Sequence, residues 1–158
     1  MDVPGKTFPN DVRHDYDDNP CSHRKAHNVY GMQMARATYQ GLKKFSYPKR
    51  PFVITRAAYS GTQRYTSTWT GDNVATWEHL SIANLQAQRM CMSGYSFVGS
   101  DIGGFAEQPN GELYARWIQL GVFHPFCRTH SSGDHGDQEP WAFGNNITDV
   151  VLSLHFLG

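Results

Sequence analysis

Pro51-Phe52-Val53-Ile54-Thr55 is a short, continuous apolar run closed by Arg56. It has the length and branched side chains of a strand covered on both faces, the kind found in parallel sheets. Upstream, Tyr30, Met34, Ala37 and Gly41 recur at helical spacing beside Met32, Ala35, Tyr39 and Leu42. This predicts a helix from near Asn28 to Ser46-Tyr47-Pro48. Downstream, small, hydroxyl-bearing and aromatic residues around Gly61 and Gly71 make residues 57–73 a loop. A second helix is expected from Ala75 to Met92, with Leu80, Ala83, Ala87 and Met90 as its apolar stripe and Gly94 as its stop. Tyr95-Ser96-Phe97-Val98-Gly99 repeats the buried-strand pattern and ends at Asp101 and a Gly103-Gly104 turn. Further on come a helix over Glu112–Leu120, a third strand over Phe123–Phe126 interrupted by Pro125, and a last helix through Ile147, Val150, Val151, Leu154 and Leu157. Residues 1–27, rich in Pro, Gly, Asp and Asn, read as loop.

Helices alternating with apolar strands define an α/β protein with parallel strands. Two or three strands leave both edges of a parallel sheet unpaired. A closed (β/α)₈ TIM barrel takes about 250 residues, and this chain has 158. The pattern therefore fits an incomplete barrel, with polar residues gathered where strands hand over to loops. That is the end at which such folds place their chemistry.

Composition narrows the function. Fourteen basic and 14 acidic side chains balance, which removes the electrostatic footprint of a general nucleic-acid binder. No apolar run approaches the ~20 residues of a membrane span, and Met1-Asp2-Val3-Pro4-Gly5 does not read as a signal peptide. Aromatic residues reach 13%, a number that suits a deep core or a site that stacks flat ligands such as sugars. Three cysteines without a close pair argue against a disulfide framework. His124, Cys127 and His130 have clip-like spacing, but they lack a fourth ligand for structural zinc, and Pro125 lies among them.

Three strand ends and the close of the 57–73 loop could carry chemistry. Trp69-Thr70-Gly71-Asp72-Asn73 reads two ways: a partly desolvated carboxylate of raised pKa, suited to general acid work, or an Asp-Asn pair capping the helix that follows. Arg56, one residue past Thr55, is either a solvated surface cation or a fork onto a carboxylate or sugar hydroxyls. Ser100-Asp101-Ile102-Gly103-Gly104-Phe105 is a plain turn or a site loop. Arg128-Thr129-His130 ends the third strand, and its histidine is either packed or functional.

Taken with His27-Asn28-Val29-Tyr30-Gly31, Arg116-Trp117-Ile118-Gln119-Leu120-Gly121, Pro125-Phe126-Cys127 and Glu139-Pro140-Trp141-Ala142-Phe143-Gly144, these segments resemble glycoside hydrolase family 31. That family comprises retaining α-glucosidases and α-xylosidases. The likeness runs from Val3 to Gly144, so residues 1–144 read as part of the catalytic barrel and residues 145–158 as a divergent or truncated helical tail. The resemblance implies hydrolysis of terminal non-reducing α-linked glucosyl residues by double displacement, between two carboxylates about 5–5.5 Å apart. It implies that Asp72 is the acid/base and that Arg56 and Trp69 line the glucose subsite. Asp101 and Phe105 would shape its floor, His130 would hold sugar hydroxyls and Arg128 would brace the same loop. No metal or organic cofactor is implied. The partners would be an α-glucoside or other small glycoside and the remainder of the barrel. Relatives are often exported, and this chain carries no signal of its own.

The family's nucleophile lies in a Trp-x-Asp-Met-Asn-Glu motif that this sequence does not contain. The expectation is thus a chain inactive by itself, whose parent is the enzyme. The alternatives are α-xylosidase, transglucosylase or lyase activity of the same family, or a non-catalytic sugar-binding or vestigial fragment.

Overall fold

The computed structural model describes residues 7–134 and 136–154. In chain order these form β1 (Arg13–His14), β2 (Cys21–Ser22), α1 (His23–Phe45), β3 (Ile54–Thr55), β4 (Ser67–Trp69), α2 (Trp77–Met92), β5 (Val98–Gly99), β6 (Asp101–Ile102), α3 (Gly111–Gly121), β7 (Arg128–Thr129) and α4 (Asn145–Leu154). β3, β4 and β5 lie parallel in that order, with Ile54 opposite Ser67 and Trp69 opposite Gly99. Past Ser100, β6 pairs parallel with β7, placing Asp101 opposite Arg128. The Phe126 amide donates to the Val98 carbonyl at 3.3 Å and joins the two sheets. The result is a run of parallel strands backed by helices, with no closed barrel among the described residues.

The fold class stands, and several boundaries move. Residues 57–73 are not all loop, because Ser67-Thr68-Trp69 is the middle strand of the sheet. Its hydroxyls hid it from a hydrophobicity reading. Each finds a carbonyl on the neighbouring segment: Thr68 Oγ1 donates to Thr55 O at 2.6 Å and Ser67 Oγ to Val53 O at 3.3 Å. β3 is an edge strand of intermediate exposure rather than one covered on both faces. Phe123–Phe126 is turn, and the strand starts at Arg128, beyond the proline that cannot donate to a ladder. The segment before α1 holds a small antiparallel pairing of β1 with β2. α1 itself begins at His23, five residues early, and buries Met32 and Ala35 while Met34 and Ala37 face outward. α2 starts at Trp77, capped by the Thr76 hydroxyl, which accepts from the His79 amide at 3.1 Å. α4 ends at Leu154, and Leu157 lies outside the described residues.

The core sits between α2, β6, α3 and α4. Ala83, Ile102, Leu113, Tyr114, Trp117 and Val151 form it, and Phe143 stacks on Tyr114 with ring centroids 4.6 Å apart. Asn110 caps α3 by accepting from the Leu113 amide at 2.8 Å. Deeply buried Trp117 spends its indole N–H on Ser100 Oγ at 3.0 Å, tying the core to the junction of β5 and β6. At Gly99 the backbone of residue 126 comes so near that an added Cβ would lie 1.8 Å from the Phe126 carbonyl oxygen. Gly99→Ala should therefore cost about 3 kcal/mol, the upper end of overpacking losses. Thermal denaturation followed by circular dichroism checks this, and an unchanged midpoint would contradict the close approach.

Beside α1, buried His23 is hydrogen-bonded to the Thr7 hydroxyl at 3.0 Å and to His14 Nε2 at 2.8 Å. Burial, then His14, then His27 push its pKa below the ordinary imidazole value. The unfolded chain therefore takes up the proton first. This contribution to stability is present above the ordinary value and is lost as pH falls through it toward the lowered one. The melting temperature should drop between about pH 7.5 and 5.5, with a smaller drop in His23→Gln. The slope that remains would come partly from His124, which burial lowers as well. Equal slopes in both proteins would rule His23 out as a source.

Candidate functional site

β4 ends at Trp69, and the Thr70 amide extends its ladder by donating to Gly99 O at 3.1 Å. Gly71, at φ 87°, then turns the chain and presents Asp72 at the carboxyl ends of the strands. Asn73 is not the cap of the next helix. Its side chain is buried, and Oδ1 accepts the Thr70 hydroxyl at 2.6 Å. Its carbonyl accepts the amides of Phe105 at 2.7 Å and Ala106 at 3.1 Å, and the Ala75 amide returns a bond to Ala106 O at 2.9 Å. The Asp72 loop and the Asp101 loop are thus joined backbone to backbone. Gly104 makes this possible: it sits at φ 91°, and a Cβ there would lie 2.6 Å from the Ala75 nitrogen. On the far side, buried Gln138 donates to Gly104 O at 3.2 Å, and the Ser132 amide donates to Phe105 O at 2.9 Å.

Asp72 carries an ion pair, its Oδ1 lying 2.7 Å from a terminal nitrogen of Arg56. Both side chains are about half exposed, at 47% and 58%. The expected desolvation of Asp72 is therefore absent, because Gly71 turns it outward and no neighbour covers it. The desolvated carboxylate is Asp101, which is fully buried. Burial pushes its pKa up, opposed first by Arg128 and then by His130, while Asp72 adds to the upward push. Arg128 holds Oδ1 of Asp101 with Nε at 3.2 Å and a terminal nitrogen at 2.9 Å. Oδ2 of Asp101 and the buried indole nitrogen of Trp69 have no partner among the described residues. The Arg128 guanidinium also lies over the Trp69 ring, 5.4 Å from its centroid, and over Phe126 at 5.1 Å. Phe105 and exposed His130 pack ring against ring at 5.4 Å.

The structure thus brings Arg56 onto Asp72, Arg128 onto Asp101 and Trp69, and His130 onto Phe105, beyond the carboxyl ends of β3 to β5 and around β6 and β7. Asp101 feels the charges of both Asp72 and His130. Two supporting residues, Asn73 as a loop joint and Gln138 as a strap, were not legible in advance, since a lone amide in a polar stretch has no periodic signature. Among the described residues no group of three or more His, Cys, Asp or Glu could hold a metal ion, so His124, Cys127 and His130 do not converge.

Known proteins place this arrangement. A sequence model of the glycosyl hydrolases family 31 TIM-barrel domain matches residues 1–155, so the chain belongs to that family and forms part of its barrel. The match continues past Gly144 into α4. Alpha-glucosidase 2 of Bacillus thermoamyloliquefaciens is 48% identical over 146 residues, which is 92% of this chain and 19% of that protein. The glucosidase 2 subunit alpha of Saccharomyces cerevisiae is 43% identical over 156 residues, 98% of this chain and 16% of its own length. The glucosidase II alpha subunit, in its alpha3-Glc2-bound crystal structure, superposes with a TM-score of 0.88 at 37% identity, covering 98% of this chain and 17% of that one. The chain therefore spans less than a fifth of the length of these relatives.

Proposed function

We propose that this chain supplies the acid/base half of a retaining α-glucosidase site. Asp72 protonates the glycosidic oxygen as the bond breaks and then, as carboxylate, activates the water that releases the sugar. The carrying observation is the Arg56–Asp72 pair, accessible at the strand ends beside Trp69 and within the field of Asp101. Arg56 meets Asp72 through Oδ1, 2.7 Å from a terminal nitrogen, and about half of the carboxylate side chain is exposed to an incoming leaving oxygen. Its remaining N–H groups can hydrogen-bond sugar hydroxyls, as can the ring nitrogens of His130. Trp69 and Phe105 supply apolar faces for a pyranose ring, whose C–H groups pack well on an aromatic plane.

The second carboxylate must come from sequence beyond this chain, because no Trp-x-Asp-Met-Asn-Glu motif occurs in it. Glucosyl specificity is favoured by the names of the relatives, an alpha-glucosidase and the alpha subunits of glucosidase II. The substrate in this reading is a terminal α-glucoside, and the partner is the rest of the barrel.

A segment exchange tests the assignment. Placing residues 1–155 in the matching stretch of the Bacillus alpha-glucosidase should give an active enzyme, and Asp72→Ala in that exchange should lower turnover of unactivated glucosides by about 10²–10⁴-fold. α-Glucosyl fluoride needs no proton on its leaving group, so its cleavage to the glucosyl-enzyme should suffer less. Added azide should then speed release and give α-glucosyl azide, the product of attack without base assistance. Full activity of Asp72→Ala on unactivated glucosides would refute the acid/base role.

A further inference from the structure

Asp101 is an unusual residue for a strand end. It is fully buried, and among the described residues its hydrogen-bonded cation is Arg128, which binds Oδ1. A lone buried carboxylate is costly unless it is paired and hydrogen-bonded. Replacing the pair with apolar side chains would fill the same space without that cost. The distinguishing property of the pair is what its cation touches. Arg128 meets Asp101 through Nε and a terminal nitrogen, and its guanidinium carbon lies over the Trp69 ring, 5.4 Å from the centroid, and over the Phe126 ring at 5.1 Å.

We propose that Arg128 is the positioning residue of this site, a planar cation clamped by Asp101 that seats the indole of Trp69 beside Asp72. The proposal deepens the functional reading above, because the Trp69 ring is the surface on which the sugar would rest. Three separate strand ends meet at this guanidinium: Trp69 closes β4, Asp101 opens β6 and Arg128 opens β7. Neither sheet pairing nor the loop joint at Asn73 fixes the rotation of the Trp69 ring, and its N–H has no partner among the described residues. The Arg128 guanidinium over the ring is what holds it. Lysine could keep the charge, but it lacks the plane and the fork.

The charges acting on Asp101 are Arg128 and His130 from the β7 end, which favour the carboxylate, and Asp72 from the β4 end, which opposes it. Burial already raises its pKa, so losing Arg128 must raise it further.

The test uses the 158-residue chain itself, labelled with ¹³C at the aspartate carboxyls and ¹⁵N at the tryptophan indoles, and needs no turnover. In Arg128→Gln, Asp101 should titrate at least one pH unit above wild type. The Trp69 indole signal should move while that of buried Trp117 stays dispersed in place, which also reports that the core remains folded. Arg128→Lys should restore most of the Asp101 titration yet still displace Trp69. It serves as the decisive variant if the glutamine form does not fold. Asp101→Asn should move Trp69 as well, because it releases the clamp. An unmoved Trp69 signal in Arg128→Lys and Asp101→Asn, or an unchanged Asp101 titration in Arg128→Gln, would overturn the proposal. These outcomes are independent of whether Asp72 is the acid.

Discussion

The carbonyl oxygen of Asn73 accepts two amides from the neighbouring loop, those of Phe105 and Ala106. Everything that could meet a substrate hangs on this joint. On one side of it stand Arg56, Trp69 and Asp72, and on the other Asp101, Phe105, Arg128 and His130. Strand pairing alone would fix the bases of these loops and leave their tips free, since each strand is only two or three residues long. Loop tips held by backbone bonds lose less freedom when a ligand arrives, which is how a rigid scaffold contributes to binding and to rate. The constraint explains two otherwise arbitrary residues. Asn73 must be buried, and Gly104 must lack a side chain, because the two backbones could not otherwise meet.

Charge is distributed around this joint in two unequal pairs. The Arg56–Asp72 pair is half exposed and open to water. The Asp101–Arg128 pair is sheltered and fixes geometry. Under the proposed function, the accessible pair serves the chemistry and the sheltered pair the positioning. A carboxylate that must give and take protons needs access, whereas one that orients a cation needs only to stay ionised.

Much of this could be read from the sequence, and the gaps have physical causes. The helices announced themselves through apolar periodicity, although α1 buries a stripe next to the one its strongest repeat suggested. β4 was invisible because its stability comes from hydroxyls bonded to the neighbouring segment rather than from apolar alternation. The start of α1 was hidden because His23 is buried through other imidazoles, which no hydropathy pattern marks. The candidate site residues stood out as motifs at three strand ends and at the close of the 57–73 loop. Their wiring did not: the exposure of Asp72, the clamp on Arg128 and the carbonyl of Asn73 depend on contacts between segments 30 or so residues apart. Phe52 and Phe97 are exposed and cluster with half-buried Phe126, with centroids 6.1–6.4 Å apart, as an aromatic surface of the sheet. It accords with a chain spanning less than a fifth of its relatives' length.

Amide hydrogen exchange at Phe105, referenced to the core of α3, tests the loop joint most directly. If the Asn73 carbonyl welds the two loops, the Phe105 and Ala75 amides should exchange about as slowly as that of Tyr114, which opens only with the core. If they exchange as fast as the exposed amide of Gly133, the loops are not joined, and the arrangement of Asp72 against Asp101 described here is wrong.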